Sequence, residues 1–355
     1  MPRPPGQPIF TKKKILGATP VTGNWGLPEG TPPPPPAGGV TVDGLLVPDE
    51  GCWWGASTPA AAGQGTSQAG LDIWTSVTLR RPQLLRFYKN NAWSGVPTTA
   101  EVNLLEAPGE DRIIGVYSWK ISNGEADEKT WAQIAAGALD ARIATAANGI
   151  KTYPYAIFFS VYHEPEDNVN LTGGSGMTPT DYVAMWAHVR SIFDAQGVDN
   201  VVWFINYQGY FGWYDLVDDL YPGDSYIDWI FYDPYSRNPD DTTFEVVANR
   251  PHPSGGTGWT GFYDWAQSAH PTKPVGIAEW GIDFNEHTTT TAAALLNSVA
   301  SVCETEFPAL KAIMYWNQIN VDDHRLQGRP TAVTNAPPAY ATTTYFNLAS
   351  TADVP

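Results

Sequence analysis

The chain has 355 residues, of which 43% are hydrophobic, a composition that supports a large folded core and argues against intrinsic disorder. Its formal charge of −17 at pH 7 repels a phosphate backbone and disfavours nucleic acid and anionic polysaccharides, so neutral glycans are better candidate partners. No uncharged apolar run is long enough to cross a bilayer, and the sequence therefore predicts no membrane insertion.

Residues 1–48 differ in composition from the rest of the chain. They contain three lysines starting at Lys12 and five consecutive prolines starting at Pro32, a run that favours polyproline II. We expect either an arm that tethers the protein to a larger assembly or an extension that packs on the domain that follows. The first eight residues lack an apolar segment, and no secretory signal is predicted.

From about residue 50, short apolar segments alternate with amphipathic ones. The predicted strands, rich in β-branched and aromatic residues, are Cys52–Ala56, Leu84–Tyr88, Ile113–Trp119, Ala156–Tyr162, Val201–Tyr207, Ile227–Tyr232, Val275–Ala278 and Ala312–Trp316. The 3.6-residue period predicts helices over Trp131–Asp140, Tyr182–Phe193 and Ala292–Cys303. Pro337–Leu348 could supply a last helix, although its threonines disfavour one.

Eight strands that alternate with helices indicate a parallel sheet. Closing that sheet gives an α/β fold, the (β/α)8 TIM barrel, with its site at the C-terminal ends of the strands. An open doubly wound sheet is the alternative, but it usually carries a glycine-rich phosphate loop after its first strand, and residues 52–59 match one poorly. The sequence therefore predicts a Pro/Gly-rich arm over residues 1–48 and one barrel over residues 49–355.

Two glutamates follow apolar strands: Glu164 in the segment Val161–Pro165 and Glu279 in the segment Ile277–Gly281. A carboxylate at such a point costs burial energy and adds little packing, which favours a chemical role. Two of them suggest the acid and the nucleophile of a glycoside hydrolase. An apolar setting and the charge of Glu279 would both raise the pKa of Glu164 and keep it a proton donor. Two structural carboxylates that bind loop amides are the alternative.

Three motifs in this order carry a family resemblance: His163-Glu164 at the fourth strand, Asp233-x-Tyr235 after the sixth, and Ala278-Glu-x-Gly281 at the seventh. Together they resemble glycoside hydrolase family 26, a family of retaining (β/α)8 enzymes. That family contains β-mannanases and some enzymes that cleave β-1,3/1,4-glucans or xylans. The resemblance covers about residues 50–350.

The resemblance implies a role for five residues. Glu164 would be the general acid/base, Glu279 the nucleophile, and His163 a sugar-binding or orienting group. Tyr235 would donate a hydrogen bond to the nucleophile, and Trp316, at the end of the eighth strand, would form an aromatic platform under the sugar. Family members commonly carry Asn soon after the acid, whereas Pro165–Asn168 follow here, which leaves the contacts to the neighbouring sugar open.

Other side chains at strand ends are further candidates for substrate contact, although packing would explain several of them equally well. They are Trp119, Lys120, Asn206, Tyr207, Gln208 and Trp280. Arg86, on the second strand, is expected to help keep Glu279 ionised. Asp233 is expected to be structural or a hydrogen-bond acceptor for substrate.

No metal or cofactor is predicted, because two-carboxylate chemistry requires none. The histidines lack a regular ligand spacing, and loop solvation explains the acidic cluster Asp322-Asp323-His324 more simply than a metal does. Cys52 and Cys303 are too few for a disulfide framework or a cysteine zinc site, and we do not expect them to pair.

Two functional hypotheses follow. The first is a retaining endo-β-glycanase that hydrolyses a neutral polysaccharide. The second is a glycan-binding or structural protein, because a proline-rich arm without a signal, joined to such a barrel, resembles minor tail proteins of bacteriophages that infect actinobacteria. Its partners would be other tail proteins, and it would act in the virion tail or outside the cell after lysis. A non-glycosidic hydrolase is disfavoured, since no nucleophilic Ser/His pair or metal signature is evident.

Overall fold

The computed structural model describes residues 44–58, 66–89, 96–120, 128–319, 322–336 and 345–346. The proposed arm therefore lies almost wholly outside the described residues. The helix predicted over Pro337–Leu348 also lies outside them, except for Tyr345 and Phe346, which form part of a turn.

The described part contains nine parallel strands, and eight of them form a closed barrel, which confirms the predicted fold. The strands are β1 (Trp53–Ser57), β2 (Leu84–Lys89), β3 (Ile114–Trp119), β4 (Ile157–Ser160), β5 (Val201–Tyr207), β6 (Trp229–Tyr232), β7 (Tyr235–Ser236), β8 (Val275–Ile282) and β9 (Leu310–Trp316). Barrel neighbours run β1 to β6 in chain order, then β8 and β9, and β9 pairs with β1 to close the ring. The two-residue β7 pairs with the far end of β8.

Helices surround the barrel. They are α1 (Gln68–Thr78), α2 (Thr99–Leu105), α3 (Trp131–Ala135), α4 (Asp140–Lys151), α5 (Pro179–Gln196), α6 (Val217–Leu220), α7 (Phe244–Ala248), α8 (Phe262–Ala269), α9 (Thr289–Glu306) and α10 (Thr331–Thr334), with short 3-10 turns over Pro165–Asn168 and Phe211–Trp213. None of the helices in this described part is both long and apolar enough to cross a membrane.

Two of the differences from the predicted boundaries have a local physical cause. The segment predicted as one helix over Trp131–Asp140 contains only α3 and the first residue of α4, because Gly137 adopts a φ of 93° that breaks the helical path. Strand β8 continues past Ala278 to Ile282, since β7 supplies hydrogen-bonding partners for Gly281 and Ile282. Glu279 therefore lies within a strand rather than after one.

Helix α5 shows how local sequence sets an element that supports the site. The side chain of Thr178 accepts from the N–H of Asp181, while the carboxylate of Asp181 accepts from the N–H of Thr178, and Pro179 occupies the first turn. The helix ends at Gly197, whose φ of 66° is the left-handed conformation that glycine adopts at low cost.

The core has two layers. One fills the barrel with side chains that include Leu84, Val116, Phe158 and Phe231, and the other lies between the strands and the helices. Cys52 and Cys303 are buried and unpaired, as expected.

The N-terminal end of the barrel is closed by residues that precede β1. Leu46 is fully buried in the barrel interior, and its carbonyl accepts a hydrogen bond of 2.7 Å from the indole N–H of Trp53. The indole N–H of Trp229 donates to the carbonyl of Leu45, also at 2.7 Å. Because Trp53 and Trp229 begin their strands, this plug lies opposite the C-terminal face.

Candidate active site

The C-terminal ends of six barrel strands, with β7, bring polar and aromatic side chains together. The residues are Arg86 and Tyr88 of β2, His163 and Glu164 after β4, Asn206 of β5, Asp233 after β6, Tyr235 of β7, Glu279 of β8 and Trp316 of β9.

Glu279 is held from both sides. Its Oε1 accepts a hydrogen bond of 2.6 Å from the hydroxyl of Tyr88, and its Oε2 accepts one of 2.6 Å from the hydroxyl of Tyr235. The guanidinium of Arg86 lies 3.9 Å from Oε1. The side chain is only 6% exposed. Two hydroxyl donors and a buried cation match an ionised carboxylate, which is only an acceptor.

Glu164 lies at the start of a one-turn 3-10 helix and has a φ of 48°, uncommon for a residue other than glycine. Its N–H donates to the carbonyl of Asn206 at 3.1 Å, which fastens the turn to the end of β5. Burial raises the pKa of Glu164 well above its ordinary value, and the negative charges of Glu279, Glu166 and Asp167 add to the rise. The side chain is 21% exposed, so it can reach a ligand in the barrel mouth.

His163 lies between the two glutamates. Its Nε2 is 3.4 Å from Oε1 of Glu279 and 3.9 Å from Oε2 of Glu164, so these two oxygens are separated by no more than 7.3 Å, the sum of the two distances. Burial lowers the pKa of His163 to about 4, and the positive charges of Arg86 and Lys120 contribute to the decrease. The imidazole is therefore neutral at pH 7 and can donate through one nitrogen only.

A buried network supports His163 and Glu279 from below. Arg86 is fully buried, donates through Nη2 to Oδ1 of Asn206, and donates through Nε to the hydroxyl of Tyr88 at 3.2 Å. Asn206 donates in turn to Oδ2 of Asp233 at 2.7 Å. Burial raises the pKa of Asp233 well above its ordinary value, and the charge of Glu279 raises it further. Asn206 is fully buried, and its contacts are those of a residue that orients its neighbours.

Among the described residues, His163, Glu164 and Asp233 form the group whose ligand atoms could hold a metal ion, since these atoms lie within 4.8 Å of one another. The guanidinium of Arg86 is 3.5 Å from Nδ1 of His163, and its charge opposes a cation there.

Asp322 and Asp323, near the eighth barrel strand, form ion pairs with arginines, whereas loop solvation was the expected explanation of this cluster. Asp323 accepts two hydrogen bonds of 2.9 Å from Arg325 and lies 2.7 Å from Arg329, while Asp322 pairs with Arg237 at 2.6 Å. Ion pairs therefore account for this cluster.

Three residues predicted to contact substrate do not lie at the site. Tyr207 is fully buried, and its hydroxyl donates to the carbonyl of Val217 at 2.9 Å. Trp119 is fully buried and packs against Phe159 at a ring separation of 5.0 Å, and Trp280 is fully buried against Phe244 at 4.9 Å. Both belong to the layer between strands and helices. Because side chains alternate along a strand, the neighbours of these tryptophans, Ser118 and Glu279, face the barrel axis and the tryptophans face away.

Trp316, by contrast, is half-buried at the mouth and meets the ring of Tyr88 edge-on at 5.5 Å. Sequence reasoning did not predict Tyr88 as a site residue, although it lies two residues after Arg86 and therefore shares the same face of β2. In the sequence, Glu166 stood out only as a departure from the family pattern. The structure places it in the 3-10 turn that follows Glu164, with its side chain buried.

A parallel eight-stranded barrel with two carboxylates at its C-terminal face suits glycoside hydrolysis, and the family comparison supports a glycoside hydrolase. Residues 122–252 match the model of the family described as Glycosyl hydrolase family 26. No curated protein matches the sequence.

Solved structures of low sequence identity share the fold. A β-mannanase from a symbiotic protist of the termite Reticulitermes speratus, complexed with gluco-manno-oligosaccharide, is 15% identical with a TM-score of 0.58, over 94% of this chain and 99% of that one. The mannanase man26 of Bacillus subtilis is 17% identical with a TM-score of 0.56, over 84% and 88%. The GH26 domain of an endo-β-mannanase/endo-β-glucanase from Prevotella bryantii is 14% identical with a TM-score of 0.52, over 84% and 90%.

Proposed function

We propose that the protein is a retaining endo-β-glycanase that hydrolyses a neutral β-mannan or glucomannan, with Glu164 as acid/base and Glu279 as nucleophile. The observation that carries this proposal is the position of His163, whose Nε2 lies within 3.9 Å of both carboxylates at the barrel mouth. Retaining enzymes place their two carboxyl groups about 5–5.5 Å apart, a separation compatible with the upper limit of 7.3 Å between the two nearest-placed oxygens around His163. The substrate class is suggested by the similar structures, which include a β-mannanase complexed with gluco-manno-oligosaccharide and a second mannanase.

In the first step, Glu279 attacks the anomeric carbon and forms a glycosyl ester. The bond to the leaving oxygen breaks at the same time, and Glu164 transfers its proton to that oxygen. In the second step, Glu164 removes a proton from water, the water oxygen attacks the anomeric carbon, and Glu279 is released as a carboxylate. The hydroxyls of Tyr88 and Tyr235 hold Glu279 in the orientation that the attack needs.

The charge coupling between the glutamates fits this exchange of roles. Besides burial, the charge of Glu279 is the largest contribution to the raised pKa of Glu164, which favours the protonated donor before attack. Ester formation removes that charge, so the pKa of Glu164 falls and the residue can act as a base in the second step.

The test is product analysis on a panel of mannan, glucomannan, mixed-linkage β-glucan and xylan. Release of manno-oligosaccharides whose first-formed anomer is β by proton NMR is expected. Glu279→Ala should be inactive while folded, and azide should restore turnover to Glu164→Ala on a substrate with an activated leaving group, giving a β-glycosyl azide. A first-formed α anomer would contradict retention, and binding of glycan without cleavage by the wild type would replace the enzyme with a glycan-binding protein.

We further propose that the barrel works as a bacteriophage tail component on glycan of the host envelope. Supporting this is the plug of Leu45 and Leu46, because residues that precede it join the barrel at the face opposite the carboxylates. A tether attached there would leave the mouth turned toward the target. Purified virions that encode the chain should contain it, and antibody against the barrel should label their tails. Virions that lack the protein would contradict this role.

A further inference from the structure

Glu166 is a buried carboxyl that the proposed mechanism does not use. It lies in the 3-10 turn Pro165–Asn168 directly after Glu164 and is only 1% exposed. Its Oε1 accepts hydrogen bonds from the N–H groups of Gln208 at 2.8 Å and Gly209 at 3.3 Å. Its Oε2 is buried and has no hydrogen-bond partner among the residues that the structure describes. A carboxyl in such a place costs burial energy that a structural bond alone recovers only in part.

The turn that carries Glu164 is thereby fixed to the end of β5 at two points. The first is the bond from the N–H of Glu164 to the carbonyl of Asn206, and the second is the pair of bonds to Glu166. Gly209 allows the second, since its φ is 67° and a Cβ there would lie 2.9 Å from the ring of Tyr232. The geometry therefore ties the orientation of Glu164 to the side chain of Glu166.

The surroundings of Glu166 contain several ionisable groups. Tyr182 of α5 and Tyr207 of β5 face it, and Glu164 and Asp167 flank it on its own turn. Helix α6 also packs on this turn, and its Asp218 accepts a hydrogen bond from the indole N–H of Trp265. Burial raises the pKa of Glu166 to about 7, against the opposing effect of three backbone N–H groups, its own and those of Gln208 and Gly209. Its charge also contributes to the raised pKa of Glu164.

We propose that Glu166 is a positioning residue for the acid/base group: its buried carboxyl binds two backbone N–H groups at the end of β5 and thereby fixes the turn that carries Glu164. This inference rests on the proposed function, in which Glu164 must hold a proton in the first step. It departs from a purely structural role in one measurable respect, because a neutral side chain of the same shape would keep the bonds and lose the charge effect.

The test compares Glu166→Gln with Glu166→Ala on the pH dependence of kcat/KM. Gln keeps an oxygen for the two N–H groups, so kcat at the optimum should stay within about twofold of the wild type. The alkaline limb should move to lower pH by about 0.5–1 unit, since a nearby like charge is removed. Ala also removes the anchor, and kcat should fall about tenfold through misplacement of Glu164.

Asp167→Asn is the matched control. It removes the same charge from the neighbouring, exposed side chain, where water screens the interaction, so the alkaline limb should move by less than half as much. Thermal unfolding of every variant reports folding. The proposal would be overturned if the alkaline limb of Glu166→Gln coincided with that of the wild type, or if the limb of Asp167→Asn moved as far as that of Glu166→Gln. A wild-type kcat in Glu166→Ala would also overturn it.

A readout without turnover separates this inference from the proposed function. In protein labelled with carbon-13 at the glutamate carboxyls, the resonance lost in Glu164→Gln identifies Glu164. Its titration midpoint should be lower in Glu166→Gln than in the wild type. If the wild type cleaves no glycan but this midpoint still shifts, the proposed function fails and the coupling stands. If glycan is cleaved and the midpoint does not move, the coupling fails.

Discussion

The hydroxyl of Tyr88 donates a hydrogen bond of 2.6 Å to Oε1 of Glu279, joining the second strand to the eighth across the barrel mouth. Strands β2 and β8 are not neighbours, since β1 and β9 lie between them. The hydroxyl of Tyr235 binds the other oxygen, so the carboxylate is oriented from two directions. Such orientation is what a nucleophile requires before a sugar enters, because a preorganised group has little reorganisation left to undergo in the reaction.

Replacing either tyrosine should therefore slow the reaction. Tyr88→Phe and Tyr235→Phe each remove one donor to a charged acceptor, an interaction that contributes about 1.5–3 kcal/mol, so kcat should fall about 10- to 100-fold. Steady-state kinetics on mannan check this. Tyr232→Phe is the control, because the Tyr232 hydroxyl binds the carbonyl of Ala248 instead of a carboxylate. An equal loss of kcat in the control would assign the effect to packing.

His163 should titrate well below the ordinary range of a histidine. Burial lowers its pKa to about 4, so its ring resonances should move near pH 4 in an NMR titration. Since this value is below the ordinary 6.5, the unfolded chain binds the proton more tightly, and the free energy of unfolding should fall as pH drops from 6.5 to 4. The decrease from this residue is about 2–3 kcal/mol at most.

Chemical denaturation at pH 4 and pH 7 tests that contribution. The difference in unfolding free energy between the two pH values should be smaller in His163→Gln than in the wild type by that amount. A midpoint near 6.5 in the titration, together with an unchanged pH dependence in the variant, would show that His163 is better solvated than the fold indicates.

The strand-helix alternation was enough to predict the barrel and the placement of Glu164 and Glu279 near one another. The errors arose where a strand's face or length depends on its partners. Trp119 and Trp280 were placed at the site because strand ends were identified without their parity, and the structure turns both toward the helices. Tyr88 was missed, although its two-residue spacing from Arg86 was available. The extension of β8 depends on pairing with β7, a contact that no local pattern encodes.

The two classes of tryptophan give a paired prediction. Trp316→Ala removes a half-buried ring at the mouth, so kcat/KM on mannan should fall about tenfold or more while unfolding changes little. Trp119→Ala removes a fully buried ring and should lower the free energy of unfolding by about 3–5 kcal/mol. The folded fraction of that variant should keep the wild-type KM. Steady-state kinetics and chemical denaturation of both variants check these predictions. A raised KM for Trp119→Ala without a raised KM for Trp316→Ala would show that Trp119, and not Trp316, contacts the substrate.

The plug at the N-terminal face predicts which residues before β1 stabilise the folded barrel. Leu46 is fully buried, so Leu46→Ala should lower the free energy of unfolding by about 2–5 kcal/mol. Leu79→Ala is the control: that side chain is 77% exposed and its truncation should change little. A chain that begins at Gly44 keeps the plug and should hydrolyse glycan as the full-length protein does, whereas one that begins at Glu50 should be less stable. If the two truncated proteins unfold at the same denaturant concentration, the plug contributes nothing to the barrel, and the support it lends to a tether at that face is lost.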